Sequence, residues 1–326
     1  MSTSGATTDP GGSARPAGTP SRSWRPGGKK HRPVDPLYNP WLRRLPLLPA
    51  LLFTIVVTQI PFLLSIWYSL TDWVVSPPTP RKFIGIDNYK ALFKDTFFRE
   101  AAWTTVVMTV SAVLVSLLLG TLLAMLLDRK FFGQGFIRTL LITPFLIMPV
   151  AAGLIWKNQM FSGQYGVINW LLEKLSFGSI NFVSVHPTAS IVTVLVWQWT
   201  PFMMLIMLAG LQSQPGDVIE ATRVDGATTF GIFRQLTFPH LRRYMELGIL
   251  LGTIYLIQVY DHVDVMTGGG PGSTNIPRFV AQESIGGGWR FGAASAYSIV
   301  VVVFSIVIAT FAMRLLSNLL EGEEAA

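Results

Sequence analysis

The amino-acid sequence predicts an all-α membrane protein with six transmembrane helices. Half of its 326 residues are hydrophobic and only 13% are charged, whereas about a quarter of the residues in soluble domains are charged. The apolar residues are gathered in uncharged runs, most of them as long as the roughly 18 residues that a membrane-spanning helix needs. The predicted spans are Leu45–Leu70, Trp103–Leu127, Thr139–Trp156, Pro187–Leu211, Leu247–Tyr260 and Phe291–Met313.

The fifth of these spans is too short to cross a bilayer by itself. It becomes long enough only if Asp261, His262 and Asp264 lie near its end. Ionisable side chains inside a membrane are costly and are candidates for function by default. We therefore treat this end of the span as a candidate site.

The two ends of the chain differ from its apolar middle. Residues 1–44 are rich in Gly, Pro, Ser, Thr and Arg and are predicted to form a disordered basic tail. Residues 45–318 are the predicted transmembrane domain, and residues 319–326 are a predicted acidic tail. Phe83–Phe93 and Gly163–Leu175 are predicted to form amphipathic helices on the outer face.

Charge predicts the orientation of the chain. With the N-terminus in the cytoplasm, the inner segments hold 16 of the 25 Lys and Arg residues, in agreement with the positive-inside rule. Both termini are therefore expected in the cytoplasm of a multi-pass cell-membrane protein. The net charge of +7 is explained by this topology, and we expect no nucleic-acid partner.

The composition argues against several kinds of site. The chain has no cysteine, and its four histidines lack the spacing of metal ligands. It also lacks the G-x-x-x-x-G-K-[ST] phosphate loop, and Gly268–Pro271 is interpreted as a tight, flexible turn. We therefore expect no metal, no bound cofactor and no enzymatic activity in this chain.

The inner segment between spans four and five has the signals of a helix–turn–helix elbow. Asp225 and Gly226 interrupt it, since glycine readily adopts the positive φ of a chain reversal. The first helix is predicted to start at Pro215-Gly216-Asp217 and to cover Val218–Val224, and the second to run from a cap at Thr228 or Thr229 to Leu236 and to end at Pro239. The whole segment spans residues 212–243 and would lie at the cytoplasmic membrane surface.

This elbow resembles the "EAA" coupling motif of permease subunits in ATP-binding-cassette (ABC) importers. The matching residues are Glu220, Ala221, Gly226 and Pro239, and the departures, all of similar size, are Thr222, Leu236 and Phe238. Further segments that resemble the family, in the same order along the chain, are Phe83–Phe93, Thr143–Lys157, Trp197–Pro215 and Met266–Asn275.

The resemblance implies the type I fold of ABC importer permeases and a carbohydrate-uptake subfamily similar to the maltose, glycerol-3-phosphate and polyol permeases. It implies a second permease subunit in a heterodimer, two cytosolic ATPases that bind ATP and Mg²⁺, and an external solute-binding protein. The elbow helix would enter a groove on an ATPase. The residues implied to couple to the ATPase are Glu220, Ala221, Asp225, Gly226 and Pro239. Glu220 would pair with a basic group of the ATPase, Asp225 would stabilise the turn, and Gly226 would set the angle of the turn.

Polar and aromatic side chains in spans four and five predict a solute pathway. Flat aromatic faces suit the C–H groups of sugars, and amides and carboxylates suit their hydroxyl groups. Tyr255, Gln258 and His262 have the spacing of one helix face, although such groups could also form an interfacial belt. Alignment with the family through the elbow places sugar contacts near Gln198–Phe202 and Leu256–Tyr260. The predicted pathway residues are Gln198, Trp199, Phe202, Tyr255, Gln258, Tyr260 and Asp261.

These features predict the membrane-spanning subunit of an importer for a sugar alcohol or a small oligosaccharide. An ion-gradient-driven secondary transporter is the alternative, but it would need paired buried acids or a repeat-inverted pair of broken helices, and apart from the acids at the outer end of span five the predicted spans are nearly free of charge. A membrane enzyme would need His, Asp or Glu residues with catalytic spacing on one aqueous surface, and the sequence offers none.

Overall fold

The structure is a computed structural model that describes residues 45–75, 77–129, 131–286 and 289–321. Its helices are α1 (Leu48–Ser69), α2 (Asp87–Lys94), α3 (Thr96–Leu127), α4 (Gln134–Leu146), α5 (Pro149–Ile155), α6 (Val167–Lys174), α7 (Phe182–Val185), α8 (Pro187–Gln212), α9 (Gly216–Val224), α10 (Thr229–Ile232), α11 (Phe238–Leu256), α12 (Asp261–Thr267), α13 (Ile276–Ser284) and α14 (Phe291–Glu321). A 3₁₀ turn covers Leu45–Leu47, and π-helical segments cover Trp156–Met160 and Phe233–Thr237. Two short antiparallel strands, β1 (Thr71–Asp72) and β2 (Lys82–Phe83), form a hairpin.

The helices confirm the predicted all-α architecture. Among the described residues, four helices are long and apolar enough to cross a membrane, namely α1, α3, α8 and the Phe291–Ile308 part of α14. Two further spans each consist of a bent pair of helices, which brings the number of spans up to six. The predicted tail at 1–44 lies outside the described residues, and α14 continues past residue 318 to Glu321.

Contacts divide the chain into two units, residues 1–57 and residues 58–326. The described part of the first unit, residues 45–57, consists of the 3₁₀ turn and the first part of α1. Helix α1 is apolar, and its most hydrophobic window has no buried residue in this chain. A helix that is hydrophobic all round needs lipid or another protein to cover it.

The third span is broken by an extended dipeptide. Helix α4 and the helical run Pro149–Met160 meet at 98°. Ile147 and Met148 have extended ψ angles of 134° and 135°. For Met148 the cause is Pro149, because a residue that precedes proline is disfavoured in the helical region. Pro149 then occupies the first turn of α5, where its missing N–H is tolerated.

The fifth span is broken as well, and this corrects one prediction. Helix α11 ends at Leu256 and α12 begins at Asp261, and the two directions differ by 54°. The spacing of Tyr255, Gln258 and His262 predicted one continuous helix face, and this prediction is wrong because the bend separates them. The bend, rather than helical periodicity, brings these three side chains to one cavity.

The core lies where α3, α8 and α11 cross. Gly120 of α3 faces Met203 of α8 so closely that an added Cβ would lie 2.7 Å from the methionine Cβ. Gly248 and Gly252 of α11 face the same side chain, and their added Cβ atoms would lie 3.2 Å from its sulfur and 2.5 Å from its methyl carbon. Small residues at these crossings let helix backbones approach closely.

The segment after α1 is attached to the end of that helix. Asn88 is buried, and its side-chain N–H groups donate to the carbonyls of Ser69 and Thr71 at 2.8 and 3.0 Å. The hydroxyl groups of Ser69 and Tyr89 are 2.7 Å apart. The Asn-Tyr pair of the Phe83–Phe93 segment therefore fixes α2 against the C-terminal end of α1.

Both amphipathic helices in the connecting segments are shorter than predicted. The first begins at Asp87 and not at Phe83, because Phe83 pairs in β2 and Gly85 turns the chain with a φ of +61°. The second begins at Val167 and not at Gly163. Both corrections arise because a turn or a strand occupies residues whose apolar spacing alone fits a helix.

Candidate functional site

The helix–turn–helix elbow predicted for residues 212–243 is present between α8 and α11. Its first helix, α9, follows Pro215 as predicted. The chain reverses at Gly226, whose φ is +85°. Of the two candidate caps for the second helix, Thr228 is the one used, since its hydroxyl oxygen accepts from the Gly231 N–H at 3.2 Å.

Backbone hydrogen bonds close the turn of the elbow. The N–H of Asp225 donates to the Ala221 carbonyl at 3.0 Å, and the N–H of Gly226 donates to the Arg223 carbonyl at 3.0 Å. Within the part of the chain that the structure describes, the Asp225 carboxylate makes no hydrogen bond. The turn is therefore held by backbone groups and the glycine conformation. The resemblance implied that the acidic side chain would stabilise it, and the structure shows no hydrogen bond from that side chain in the described residues.

Helix α9 presents an exposed surface. None of its residues is buried, and Glu220 and Ala221 are both exposed. Next to them, Val224 is 87% exposed, and Phe230 of α10 is 72% exposed. Exposed apolar side chains beside a carboxylate are suited to contact with another protein surface.

Hydrogen bonds join the two ends of the elbow. The hydroxyl of Ser213, just after α8, is 2.8 Å from His240 Nε2 and accepts from the Tyr244 hydroxyl at 2.8 Å. The Gln214 side-chain amide donates to the Leu236 carbonyl at 3.3 Å. The base of the elbow is thus attached to both α8 and α11, so that a displacement of α9 would be passed to two transmembrane helices.

Pro239 does not end the second elbow helix, which corrects another prediction. The helical run from α10 continues through the π-helical segment into α11, and Pro239 lies in the first turn of α11. Proline has no N–H to donate to the preceding turn. A π turn, closed by the N–H of Phe238 on the Phe233 carbonyl, lies just before it and widens the helix at that point.

The seven residues predicted for the solute pathway all line one cavity of about 480 Å³, which we call the pathway cavity. It lies where the two helix breaks face each other, between α4, α5, α8, α11 and α12. The prediction missed Phe145, Ile147, Pro149 and Val259, and it named His262 without assigning it to the pathway. Phe145, Ile147 and Pro149 lie at the break in the third span, and the sequence gives no indication that this break faces the fifth.

One wall of the pathway cavity is aromatic. The Trp199 ring centroid lies 5.7 Å from that of Phe145, 5.5 Å from that of Phe202 and 5.6 Å from that of Tyr255. Phe145 and Phe202 stack at 5.4 Å, and Tyr255 remains 59% exposed. Such rings offer flat apolar faces of the kind that ligand sites use.

The other wall of the cavity is polar. Gln258 donates from its amide nitrogen to the Ile254 carbonyl at 3.1 Å and is exposed to the cavity together with Asp261. Asp264, one turn further along α12, is paired with Arg278 at 2.9 Å. The cavity therefore has an amide and a carboxylate in its lining together with the aromatic rings.

Gln198 is buried behind these groups, with only 4% of its surface exposed. Its amide nitrogen donates to the Ile147 carbonyl at 2.6 Å. Its amide oxygen lies 2.7 Å from Nε2 of His262, which is also buried. Gln198 thus connects the break in the third span to α12.

A second cavity, of about 620 Å³, lies near the glycine-rich turn that follows α12, and we call it the loop cavity. Lys157 and Asn158 of the π-helical segment line it together with Met266 and Thr267 of α12. Gly268 and Gly269 have φ values of +66° and +73°, as expected for the predicted turn. In the described ranges, no three His, Asp or Glu side chains are grouped as metal ligands would be.

Comparison with known proteins identifies the family. Residues 116–320 match the family described as "Binding-protein-dependent transport system inner membrane component". The "Probable ABC transporter permease protein y4oQ" of Sinorhizobium fredii is 36% identical over 266 residues, which cover 80% of this chain and 85% of the relative. The "Trehalose/maltose transport system permease protein MalF" of Thermococcus litoralis is 32% identical over 269 residues, covering 81% and 90%.

A solved structure has the same fold. A chain of a bacterial ABC transporter involved in the import of the acidic polysaccharide alginate superposes with a TM-score of 0.72 and 21% identity, covering 85% of this chain and 96% of that one. The fold is therefore that of an ABC importer permease, as the elbow motif predicted. The chain belongs to the family of inner membrane components of binding-protein-dependent transport systems.

Proposed function

We propose that this chain passes a carbohydrate, a sugar alcohol or a small oligosaccharide, across the membrane in an ATP-driven importer. The observation that carries this proposal is the pathway cavity, whose lining combines the aromatic wall around Trp199 with the polar groups of Gln258 and Asp261. Rings bind the C–H faces of a sugar, while an amide donates and accepts hydrogen bonds with its hydroxyls and a carboxylate accepts hydrogen bonds from them. The name of the Thermococcus relative, a trehalose/maltose permease, supports the same class of solute.

The energy for transport would come from partner subunits. We propose that the exposed surface of α9, with Glu220 and the apolar Val224, docks on a cytosolic ATPase that binds ATP and Mg²⁺. Because the elbow is bonded at its base to α8 and α11 through Ser213 and Tyr244, movement of a docked α9 would tilt both helices. The chain itself would bind no cofactor and would act as a transport subunit.

The proposed assembly contains a second permease subunit, two ATPases and an external solute-binding protein. The exposed apolar surface of α1 would be covered by lipid or by the second permease. Placing the elbow in the cytoplasm puts both termini in the cytoplasm and the loop cavity on the outer face, where it is accessible to the binding protein.

An ion-gradient-driven transporter has less support. Such a mechanism needs paired acids within the membrane or a pair of broken helices related by an inverted repeat. Of the two acids near the pathway cavity, Asp264 is neutralised by Arg278 at 2.9 Å, and Asp261 is exposed. Within the described residues these two are not arranged as an ion-binding pair.

Reconstitution tests the proposal. The complex with its partner subunits and binding protein is placed in proteoliposomes, and uptake of radiolabelled trehalose, maltose and sorbitol is measured with and without ATP. We expect ATP-dependent uptake of at least one probe and ATPase activity stimulated by the loaded binding protein. Uptake that follows an ion gradient without ATP would contradict the proposal.

The elbow is tested separately with the double variant Glu220→Ala/Gly226→Val. We expect the variant to lose ATPase stimulation and uptake, because both the carboxylate and the turn conformation are removed. The control Glu173→Ala changes an acidic residue on α6, far from the elbow in sequence, and should transport normally. Normal transport by the double variant would show that the elbow is not the coupling element.

A further inference from the structure

Each helix break in this fold leaves a backbone carbonyl without its helical partner, and a buried side-chain amide bonds to it. At the break in the third span, the Ile147 carbonyl accepts from Gln198. At the break in the fifth span, the Val259 carbonyl accepts from Asn275, which is 2% exposed. Such bonds are needed because an unsatisfied backbone group inside a membrane has no water to bind and is strongly unfavourable.

Gln198 differs from Asn275 because it also contacts the other broken span. Since its amide nitrogen donates to Ile147, its amide oxygen is the atom that faces His262 at 2.7 Å. An amide oxygen can only accept a hydrogen bond, so Nε2 of His262 must carry the proton. The oxygen and one amide hydrogen of Gln198 are thus already used inside the protein, and the side chain is almost fully buried.

The far ends of α5 and α12 are also joined. The Lys157 ammonium, just after α5, donates to the Val265 carbonyl of α12 at 2.9 Å. Near the same end of α12, Gly153 of α5 packs against it, and an added Cβ would lie 3.5 Å from Val265 and 3.6 Å from Met266. Helices α5 and α12 are therefore in contact and hydrogen-bonded at the far end, and Gln198 of α8 connects them at the near end.

This pair of helices borders both cavities. Its first residues, Pro149 and His262, line the pathway cavity, and the residues at its other end, Lys157 and Thr267, line the loop cavity. On the proposed path, a solute that moves from one cavity to the other passes this pair. The inference rests on the proposed function only in taking the two cavities as successive parts of one solute path.

We propose that Gln198 is a positioning residue whose amide, held between Ile147 and His262, fixes α5 and α12 as one body between the two cavities. Gln198 does not bind the solute itself, in contrast to the contact that the sequence predicted. Without this bond the two helices lose their connection at the pathway cavity, while Lys157 still holds the far end. The barrier between the cavities then opens more often.

The absence of cysteine from the chain makes the proposal directly testable. A reporter cysteine replaces Gln258 in the pathway cavity, and the full complex in right-side-out vesicles is treated with a membrane-impermeant methanethiosulfonate reagent. The parent is the chain with this reporter cysteine and no other change. When Gln198→Leu or His262→Phe is added, we expect the cysteine on the gel-separated chain to react about tenfold faster than in the parent. His262→Gln keeps an N–H donor at a similar reach and should stay within about twofold of the parent.

Gln159→Leu is the matched control, since it makes the same substitution at an exposed glutamine of the π-helical segment. It should leave the labelling rate unchanged. If Gln198→Leu and His262→Phe label at the parent rate, the positioning role is overturned. With Gln258 retained, the positioning role is also overturned if Gln198→Leu raises the half-saturating trehalose concentration for uptake while His262→Phe leaves it unchanged, because Gln198 would then contact the solute.

The labelling comparison is separate from the proposed function. A complex that keeps Gln258 and takes up none of the sugar probes would contradict the proposed substrate class, yet the relative labelling rates of the Gln258→Cys series would still report the barrier. The double variant Gln198→Leu/His262→Phe adds a further check. Because it removes both partners together, its labelling should be no faster than that of either single variant, whereas independent effects would multiply.

Discussion

Replacing Gly120 by alanine tests the closest helix crossing in the fold. The new Cβ would lie 2.7 Å from both Met203 Cβ and the Met204 backbone nitrogen, and 2.9 Å from the Met203 carbonyl carbon. Since two of these atoms belong to the backbone, α3 and α8 must move apart, and overpacking of this kind costs about 3 kcal/mol at the upper end of its usual range. Alanine regains about 1 kcal/mol of helix propensity, so we expect a net loss of about 2 kcal/mol.

Unfolding in mixed micelles of increasing SDS fraction, followed by circular dichroism, measures this loss. Gly135→Ala is the matched control, because it makes the same change in α4 with no atom within 4 Å of the new Cβ. We expect Gly135→Ala to be neutral or slightly stabilising. If Gly120→Ala unfolds at the same SDS fraction as Gly135→Ala, the close packing of α3 against α8 is wrong.

Three further changes test the elbow, the cavity and the connecting segment. Gly226→Ala forces a left-handed conformation that costs a non-glycine residue about 1–2 kcal/mol, and it should reduce ATPase stimulation. Gly133→Ala, with a φ of +81° and an equally open surrounding, carries the same strain outside the elbow and should keep normal ATPase stimulation. If both variants lose the same amount of ATPase stimulation, backbone strain alone explains the loss. Trp199→Leu removes ring contacts of about 0.5–1.5 kcal/mol and should raise the half-saturating concentration of the transported sugar several-fold, and an unchanged value would exclude this wall from the site. Asn88→Ala leaves two buried carbonyls without a donor and should lower stability in the SDS titration by about 1–3 kcal/mol, whereas wild-type stability would mean that α2 is not held through Asn88.

The spans and the elbow could be predicted because their signals are local. Apolar runs define the helices, and the positive φ that Gly226 adopts is a property of the residue itself. The breaks are harder to predict. The third span contains both Pro144 and Pro149, and the helix continues through the first and breaks before the second. The break before Asp261 follows no proline or glycine at all.

The partners of Gln198 could not be predicted for a related reason. Its two hydrogen bonds reach Ile147 and His262, which are 51 and 64 residues away in sequence. Residue type and spacing give the same expectation for a glutamine that faces a cavity and one that bonds behind it. Only the packing of the broken helices distinguishes these roles, and that packing depends on all the spans together.

Met203 has one further consequence. Its thioether lies against two glycines of α11, Gly248 and Gly252, and the side chain is fully buried. A methionine has three rotatable bonds and adapts to irregular space, so α11 can slide against α8 by a change of side-chain rotamer without opening a void. A β-branched residue at this position would fix one alignment of these two helices, so the choice of methionine favours a bundle in which α11 has to adopt more than one alignment during transport.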